Sequence, residues 1–365
     1  MSGECVIAGE GPVLWNPLAE SAPRAMGPGL GEQAIPKLGA FGTCGNPNDP
    51  NFSSWRLQHL FPIAKMYGIE ETDIFNPEVT EWRPEMAQLE SYHFARDEVV
   101  VIKITDATDS PASITEAGFG VFGGMLRGQD VIVSIDLTKQ SPERTRIARH
   151  LARGILDPIS DLSASFSLVE DTEVVCHMAA VKFLERQKQR KAGLKPRVGY
   201  LPPSRRNLAP AVFLSGTCGE VKPEWMHAVA DTIQSNGVPV QDAYSENWSI
   251  GAQSEEWTHK INDAVQLIAI TGETESLGAL AELGPRMMNA YLTGQSLGVF
   301  IGDHPSGPKS PTNRTRTLAK AHLGRLLEDF PDLPIFIAKD LYQLALFGTV
   351  EYLKQRQRLE WANGR

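Results

Sequence analysis

The sequence predicts two tandem α/β domains with doubly wound parallel sheets, related to each other by internal duplication. Three observations predict this fold. The tetrapeptide GTCG occurs at 42–45 and again at 216–219, a longer stretch repeats at a constant offset, and short apolar runs alternate with helical stretches in both halves. A chain of 365 residues is long enough for two domains of ordinary size.

The repeat is clearest where residues 92–118 align with residues 258–284 at an offset of 166 residues. Ten of the 27 aligned positions are identical, whereas unrelated sequences of this composition would share roughly one or two. The identical pairs are His93/His259, Asp97/Asp263, Val99/Val265, Ile102/Ile268, Ile104/Ile270, Thr105/Thr271, Thr108/Thr274, Ser110/Ser276, Glu116/Glu282 and Gly118/Gly284. We conclude that the chain arose by duplication.

The repeat divides the chain into four segments. Residues 1–37, rich in Gly, Pro and Ala, are predicted to form an irregular N-terminal arm. The first copy covers 38–190 and the second covers 209–365. Residues 191–208 are rich in proline and basic residues without periodicity, which indicates a linker.

Each copy shows runs typical of strands buried on both faces of a parallel sheet. These are VVVIKIT (99–105), DVIVSIDL (130–137), AVFLSGTCG (211–219), VQLIAIT (265–271) and SLGVFIGD (296–303). Helices are predicted between them, ending at Gly128 and Gly294, since glycine accepts the left-handed conformation of a helix end. Because ligands of such sheets bind beyond the carboxyl ends of the strands, the GTCG turns and the T-x-x-T-x-S loops are expected to share one rim.

Composition excludes several classes of protein. The net charge of −9 argues against a large nucleic-acid-binding surface. No apolar run is long enough for a membrane helix, and the first residues lack the pattern of a secretory signal. Four cysteines without a C-x-x-C pair fit neither a disulfide scaffold nor a zinc ribbon. These features favour a cytoplasmic protein that binds neither nucleic acid nor membrane.

Glu116 and Glu282 are the first catalytic candidates. Each lies among small and apolar residues near the start of a predicted helix, where a carboxylate can act as a nucleophile toward a sugar anomeric carbon. The alternative is a glutamate that caps its own helix.

The other repeated polar residues also have structural explanations. Asp97 and Asp263 precede a strand and are typical of capping residues. His93 and His259 are expected on a helix face, without the neighbouring ligands that a metal site needs. Cys44 and Cys218 fit small residues of a tight turn better than reactive thiols.

The motifs together resemble a known family. GTCGNPNDPNFSSWR (42–56), FNPEVTEW (75–82) and TDATDSPASITEAG (105–118) are similar to the nucleoside 2-deoxyribosyltransferase-like domains, and the resemblance covers the core of both copies. It implies flavodoxin-like or Rossmann-like three-layer domains that cleave or transfer an N-glycosidic bond without a cofactor. In that family a glutamate attacks C1′ of the sugar and forms a covalent glycosyl-enzyme, which a second base or water resolves with retention.

The resemblance also implies site residues. The nucleophile would be Glu116 in the first copy and Glu282 in the second, and Asp109 would bind ribose or assist the departing base. An acid of the upstream helix falls near Glu90 and Glu256. The expected substrate-binding residues are Gly42, Thr43, Gly45, Trp55, Arg56, Asp97, Gly216, Thr217, Gly219 and Asp263. No metal is expected.

The copies depart from the family pattern in different ways. Asp109 precedes Glu116 by one residue more than in the transferases themselves, and Pro111 replaces the glycine after Ser110. The second copy has Met226 in place of Arg56 and lacks the Asn76–Pro77 pair, so the first copy is favoured as the active one.

Relatives of this family build their sites across symmetric interfaces. The fused copies are therefore expected to form an intrachain pseudo-dimer, with a homodimer as a further option. The expected partner is a small nucleoside or nucleotide, and NAD, ribo- and deoxyribo-compounds, transfer and hydrolysis all stay open. The alternatives are a non-catalytic nucleotide-binding or signalling module on the same fold, and a scaffolding role.

Overall fold

The structure is a computed structural model. It describes residues 36–44, 54–79, 82–105, 110–137, 143–160, 164–194, 208–218, 222–244, 256, 258–305, 307 and 311–362. The predicted arm, most of the predicted linker, and the candidate residues Gly45, Asp109 and Gly219 lie outside the described residues.

The first half contains a five-stranded, all-parallel sheet with the order β2-β1-β3-β4-β5. Its strands are β1 (Leu38–Gly42), β2 (Ile74–Phe75), β3 (Val99–Ile104), β4 (Asp130–Ile135) and β5 (Phe166–Leu168). This is the order of a flavodoxin-like doubly wound sheet.

The second half repeats that sheet, with the order β7-β6-β8-β9-β10, again all parallel. Its strands are β6 (Ala209–Gly216), β7 (Val240–Asp242), β8 (Asp263–Ile270), β9 (Ser296–Ile301) and β10 (Ile335–Ala338). The predicted fold class is confirmed: the chain holds two tandem Rossmann-like three-layer α/β units.

Helices cover both faces of each sheet. In the first half they are α1 (Phe61–Met66, preceded by a π-helical turn, Arg56–Leu60), α2 (Met86–Arg96), α3 (Pro111–Arg127), α4 (Glu143–Ser160) and α5 (Thr172–Lys191), with a 3₁₀ turn at Glu71–Asp73. In the second half they are α6 (Glu224–Gln234), α7 (258–262), α8 (Leu277–Thr293), α9 (Pro311–Asp329) and α10 (Leu341–Ala362). Among the described helices, none combines the length and the apolarity that crossing a membrane requires.

The central strands are largely apolar because both of their faces are buried, and the buried Lys103 of β3 donates a hydrogen bond to Ser134 of β4. In β3, Val99 and Val101 pack into the core beneath α1 and α5, whereas Val100, Ile102 and Ile104 face the core that contains α3. A strand covered on both sides has no solvent face on which polar residues would alternate.

The ends of α3 and α8 agree with the sequence prediction. Gly128 and Gly294 close the helices with φ of 72° and 78°, as a left-handed helix end requires. Both helices begin directly after the serine of the T-x-x-T-x-S loop, at Pro111 and Leu277, and Pro111 occupies the first position of α3. Glu116 therefore lies in the second helical turn rather than in the first.

The two halves share one hydrophobic core. Helices α3 and α8 cross where Gly118 meets Gly284, the same position of the repeat in each half. Phe122 of the first half, together with Met287 and Leu323 of the second, belongs to a single buried cluster. Helix α9 of the second half also packs against α2 and α3, and α3 is the helix that carries Glu116.

Candidate functional site

The carboxyl ends of β1 and β3 are joined by a hydrogen-bonded threonine. The hydroxyl of Thr43 accepts a hydrogen bond from the backbone N–H of Thr105 (2.9 Å) and pairs with the hydroxyl of Ser110 (2.7 Å). In the second half Thr217 makes the same contacts with Thr271 (2.8 Å) and Ser276 (2.6 Å). The GTCG turn and the T-x-x-T-x-S loop thus meet at one rim in each half.

Backbone geometry explains the glycine that opens each turn. Gly42 has φ of +113° and Gly216 has φ of +142°. A Cβ at Gly42 would overlap the carbonyl oxygen of Lys103 on the neighbouring strand, and one at Gly216 would lie 2.7 Å from the carbonyl carbon of Ala269. Both glycines are required by close packing of adjacent strands, whatever their role toward a ligand.

Two serines adopt a strained backbone at the same rim. Ser110 (φ 47°) and Ser276 (φ 55°) are the non-glycine residues with positive φ among the described parts of the chain, and they directly precede α3 and α8. A left-handed residue of this kind costs about 1 kcal/mol or more. The hydrogen bonds to Thr43 and Thr217 help to hold this backbone conformation directly before the glutamate helix of each half.

Arg56 stabilises the turn rather than projecting toward a substrate. Its side chain is fully buried and donates hydrogen bonds to the carbonyl oxygens of Ala40 (2.8 Å), Gly42 (3.3 Å) and Thr43 (2.9 Å). The guanidinium also lies over the ring of Trp55, which is itself buried. Arg56 and Trp55, both expected to bind substrate, are thus placed as supports of the GTCG turn.

The second half supports its turn with a different residue. Met226 stands where the first half has Arg56, and the indole N–H of Trp225 donates to the carbonyl oxygen of Thr217 (3.0 Å). This carbonyl is equivalent to that of Thr43. This carbonyl therefore has a hydrogen-bond donor although the second half lacks the arginine.

Asp97 and Asp263 lie at the amino ends of their strands, whereas the GTCG turns lie at the carboxyl ends. Asp97 lies two residues before β3 and Asp263 is the first residue of β8, and each is paired with the histidine four residues before it, at 3.1 Å (His93) and 3.0 Å (His259). The structure does not bring these aspartates to the carboxyl-end rim. Neither aspartate belongs to the proposed site, because a residue at the amino end of a parallel strand cannot reach the rim at the carboxyl end of the sheet.

Glu116 on α3 and Glu90 on α2 form a pair of interacting buried carboxyl groups in the first half and are 4% and 3% exposed. Burial, and then the charge of Glu116, raises the pKa of Glu90 to about 7. The cation of Arg314 opposes this rise, as does the hydrogen bond that the Trp82 indole donates to Glu90 Oε1 (2.7 Å). One carboxyl of the pair thus holds a proton near neutral pH, a condition that acid catalysis needs.

Helix α9 of the second half places two basic side chains beside this acidic pair. Arg314 Nη2 lies 3.8 Å from Glu90 Oε1, and its guanidinium stacks over the Trp82 ring at 5.0 Å from the ring centroid. His322 Nε2 lies 3.7 Å from Glu116 Oε1. Sequence analysis assigned no role to Arg314 and missed His322, because only the crossing of the two halves brings α9 to this site.

The equivalent carboxylates of the second half are neutralised within their own half. Lys260, 6% exposed, contacts both oxygens of Glu282 at 3.1 and 3.0 Å and Glu256 Oε1 at 2.6 Å. Phe94 occupies the position of Lys260 in the first half. A second buried cation, Arg286, stands in the second half where the first has Gly120. The two halves therefore differ in charge around the same glutamate.

The cysteines of the two turns are not activated. Burial raises the pKa of the Cys44 thiol, against the lowering effect of the nearby Arg56 and Arg314, and raises the pKa of Cys218 to about 11. Both stay protonated at neutral pH, as expected for small residues of a turn. Among the described residues, no three His, Cys, Asp or Glu side chains are arranged to hold a metal ion.

Comparisons of this chain with profiles of known protein families, with curated proteins and with solved structures gave no match. The function is therefore argued from the side chains at the rim of the first half.

Proposed function

We propose that the first half cleaves or transfers the N-glycosidic bond of a nucleoside- or nucleotide-type substrate, with Glu116 as the nucleophile. The observation that carries this proposal is the pair of buried carboxyls, Glu116 and Glu90, of which Glu90 has its pKa raised to about 7. A retaining glycosidic reaction needs one ionised and one protonated carboxyl on either side of the scissile bond.

The roles follow from the charges. The carboxylate of Glu116 attacks C1′, forming an ester bond as the bond from C1′ to the base nitrogen breaks. The electron pair of the broken bond goes to the base, and Glu90 donates the proton that neutralises it. Water or a second base then attacks C1′ and regenerates Glu116.

Trp82 and Arg314 orient and tune the acid. The Trp82 indole donates its hydrogen bond to Glu90 Oε1, which fixes the carboxyl on one side of the site. The guanidinium of Arg314, held over the indole, limits the rise in the pKa of Glu90. We assign Glu90 the acid role that the resemblance gives to Asp109.

One observation favours a different role for the second half. A carboxylate contacted at both oxygens by Lys260 is a poor nucleophile, because its charge is already neutralised. We propose that the second half does not turn over substrate and that it acts as a binding or structural partner of the first. The alternative of a non-catalytic nucleotide-binding module applies best to this half. The proposed location is the cytoplasm.

The test is product analysis by liquid chromatography. Purified protein is incubated with nucleosides, deoxynucleosides, their monophosphates and NAD, each with and without a second free base. We expect release of free base by the wild type and by Glu282→Gln, and none by Glu116→Gln. A base swap identifies transfer, and release without a swap identifies hydrolysis.

Two outcomes would overturn the proposal. The first is equal product formation by Glu116→Gln and the wild type. The second is saturable binding of a panel member with no product after long incubation, which would assign nucleotide binding to the whole chain.

A further inference from the structure

The two halves place different groups against the same glutamate. In the second half Lys260, from the same half, contacts both oxygens of Glu282. In the first half Phe94 occupies that position, and the ring of His322 packs against it at 4.4 Å between ring centroids. His322 comes from α9 of the other half, and its Nε2 faces one oxygen of Glu116 at 3.7 Å. Glu282 is thus contacted by a lysine of its own half, whereas the basic neighbour of Glu116 is a histidine of the other half.

His322 is buried with an unused polar atom. Its side chain is 4% exposed, and Nε2 has no hydrogen-bond partner among the described residues. A small cavity of about 10 Å³ adjoins it, lined also by Ser91, Phe119, Arg127 and Arg325. This volume approaches the space that one water molecule needs. A buried ring nitrogen without a partner is expensive, so its position beside a carboxylate calls for an explanation.

The other charged groups around His322 are already paired. On α3 and α2, Arg127 and Arg96 both contact Asp329 of α9, at 2.8 and 2.7 Å. On α9 itself, Arg325 contacts Glu328 at 2.7 Å. Glu90, also on α2, is hydrogen-bonded to Trp82. Among the described residues, His322 is the basic side chain within ion-pair distance of Glu116.

We propose that His322 is a positioning residue for Glu116, supplied to the first half by the second. Its imidazole Nε2 lies beside one oxygen of Glu116, which orients the carboxylate and leaves the other oxygen free to attack. Lys260 instead occupies both oxygens of Glu282. The catalytic part of this inference rests on the proposed function of Glu116, whereas the pairing of the two side chains does not.

The decisive test is an NMR measurement that needs no turnover. Spectra of the full-length protein, labelled with ¹⁵N-histidine, are recorded at one fixed pH, and the His322 resonances are assigned by their loss in His322→Asn. We expect the imidazole nitrogen resonances of His322 to shift in Glu116→Gln relative to the wild type, because Nε2 loses the carboxylate that lies 3.7 Å away. The control Glu328→Gln alters an exposed carboxylate of the same helix and should leave these resonances unchanged. Equal His322 resonances in wild type and Glu116→Gln would overturn the inference.

Kinetics test the positioning role separately. We expect His322→Asn to lower kcat for base release at least tenfold with KM nearly unchanged, while Glu328→Gln behaves as the wild type. Unchanged kcat in a folded His322→Asn would contradict the role. If the wild type releases no base at all, the proposed function fails, and the NMR comparison still decides whether the two side chains are in contact.

Discussion

A Cβ on Gly284 would overlap the carbonyl carbon of Gly118 and lie 2.5 Å from the backbone nitrogen of Phe119, so α8 and α3 are in backbone contact where they cross. The two glycines are the same position of the repeat. The duplicated helices therefore pack against each other at equivalent points. This crossing also sets the position of α9 over the site of the first half.

Alanine at these glycines tests the crossing. Gly284→Ala should lower the free energy of unfolding by about 3 kcal/mol, since backbone atoms cannot yield to the methyl group. Gly118→Ala should cost less, because its nearest contact is the ring of Pro285 at 2.6 Å. Gly324→Ala in α9 is the control, with nothing within 4 Å of the added atom, and should stabilise the protein by about 0.5–1 kcal/mol. Urea unfolding measures all three; equal stabilities for Gly284→Ala and Gly324→Ala would refute close packing here.

The pH dependence of base release follows from Glu90. Because its pKa is raised to about 7, the proton that it donates is present below that pH and lost above it. We expect kcat/KM to fall as the pH rises through about 7, and this limb to disappear in Glu90→Gln. Trp82→Phe removes a hydrogen bond that favours the charged form, so its limb should move to higher pH. A limb that moves to lower pH in Trp82→Phe would be incompatible with this assignment.

Replacing Arg56 by methionine, the residue at the equivalent position of the second half, should destabilise the GTCG turn. Arg56→Met leaves the carbonyls of Ala40, Gly42 and Thr43 without their charged donor. We expect a loss of about 3 kcal/mol in unfolding free energy, since hydrogen bonds to charged groups contribute about 1.5–3 kcal/mol each. Arg356→Met, which alters an exposed ion pair with Glu360, should change stability by less than about 0.5 kcal/mol. A substrate-binding role alone would leave the stability of Arg56→Met unchanged.

A lysine at position 94 should convert the first site into a copy of the second. In Phe94→Lys we expect the new ammonium group to pair with Glu116 as Lys260 pairs with Glu282, and base release to fall at least a hundredfold. The measurement is the initial rate of base release at saturating substrate, with thermal unfolding recorded beside it. Phe94→Leu, which adds no charge, serves as the matched comparison and should keep most of the activity. Comparable rates in folded Phe94→Lys and Phe94→Leu would show that pairing with a lysine does not inactivate Glu116.

The sequence predicted the central strands, because a strand buried on both faces carries a mostly apolar run, as in Val99–Ile104 with Lys103 as its one polar residue. It did not predict the edge strands β2, β5, β7 and β10. The ends of α3 and α8 were also predictable from Gly128 and Gly294. The left-handed backbone of Ser110 before α3 was not, because no pattern of apolar residues reveals it.

The site was predicted only in part. Glu116 and the joined turns of each half follow from the repeat and from the rule that places ligands beyond the carboxyl ends of strands. The contributions of Arg314 and His322 depend on the crossing at Gly118 and Gly284, which local sequence does not encode. The alignment of the two copies already pairs Phe94 with Lys260. Only the contact between Lys260 and Glu282 in the structure shows that this difference changes the charge beside the glutamate.

The central claim is that Glu116 forms a covalent bond to the sugar, and one measurement tests it most directly. A substrate found by product analysis is mixed with excess enzyme, quenched with acid during the first turnover, and digested for mass spectrometry, while proton NMR records the anomeric configuration of the product. The account predicts a pentosyl mass on the peptide that contains Glu116 and a product of retained configuration. An inverted product, or a pentosyl group on the peptide of Glu282 instead, would contradict it.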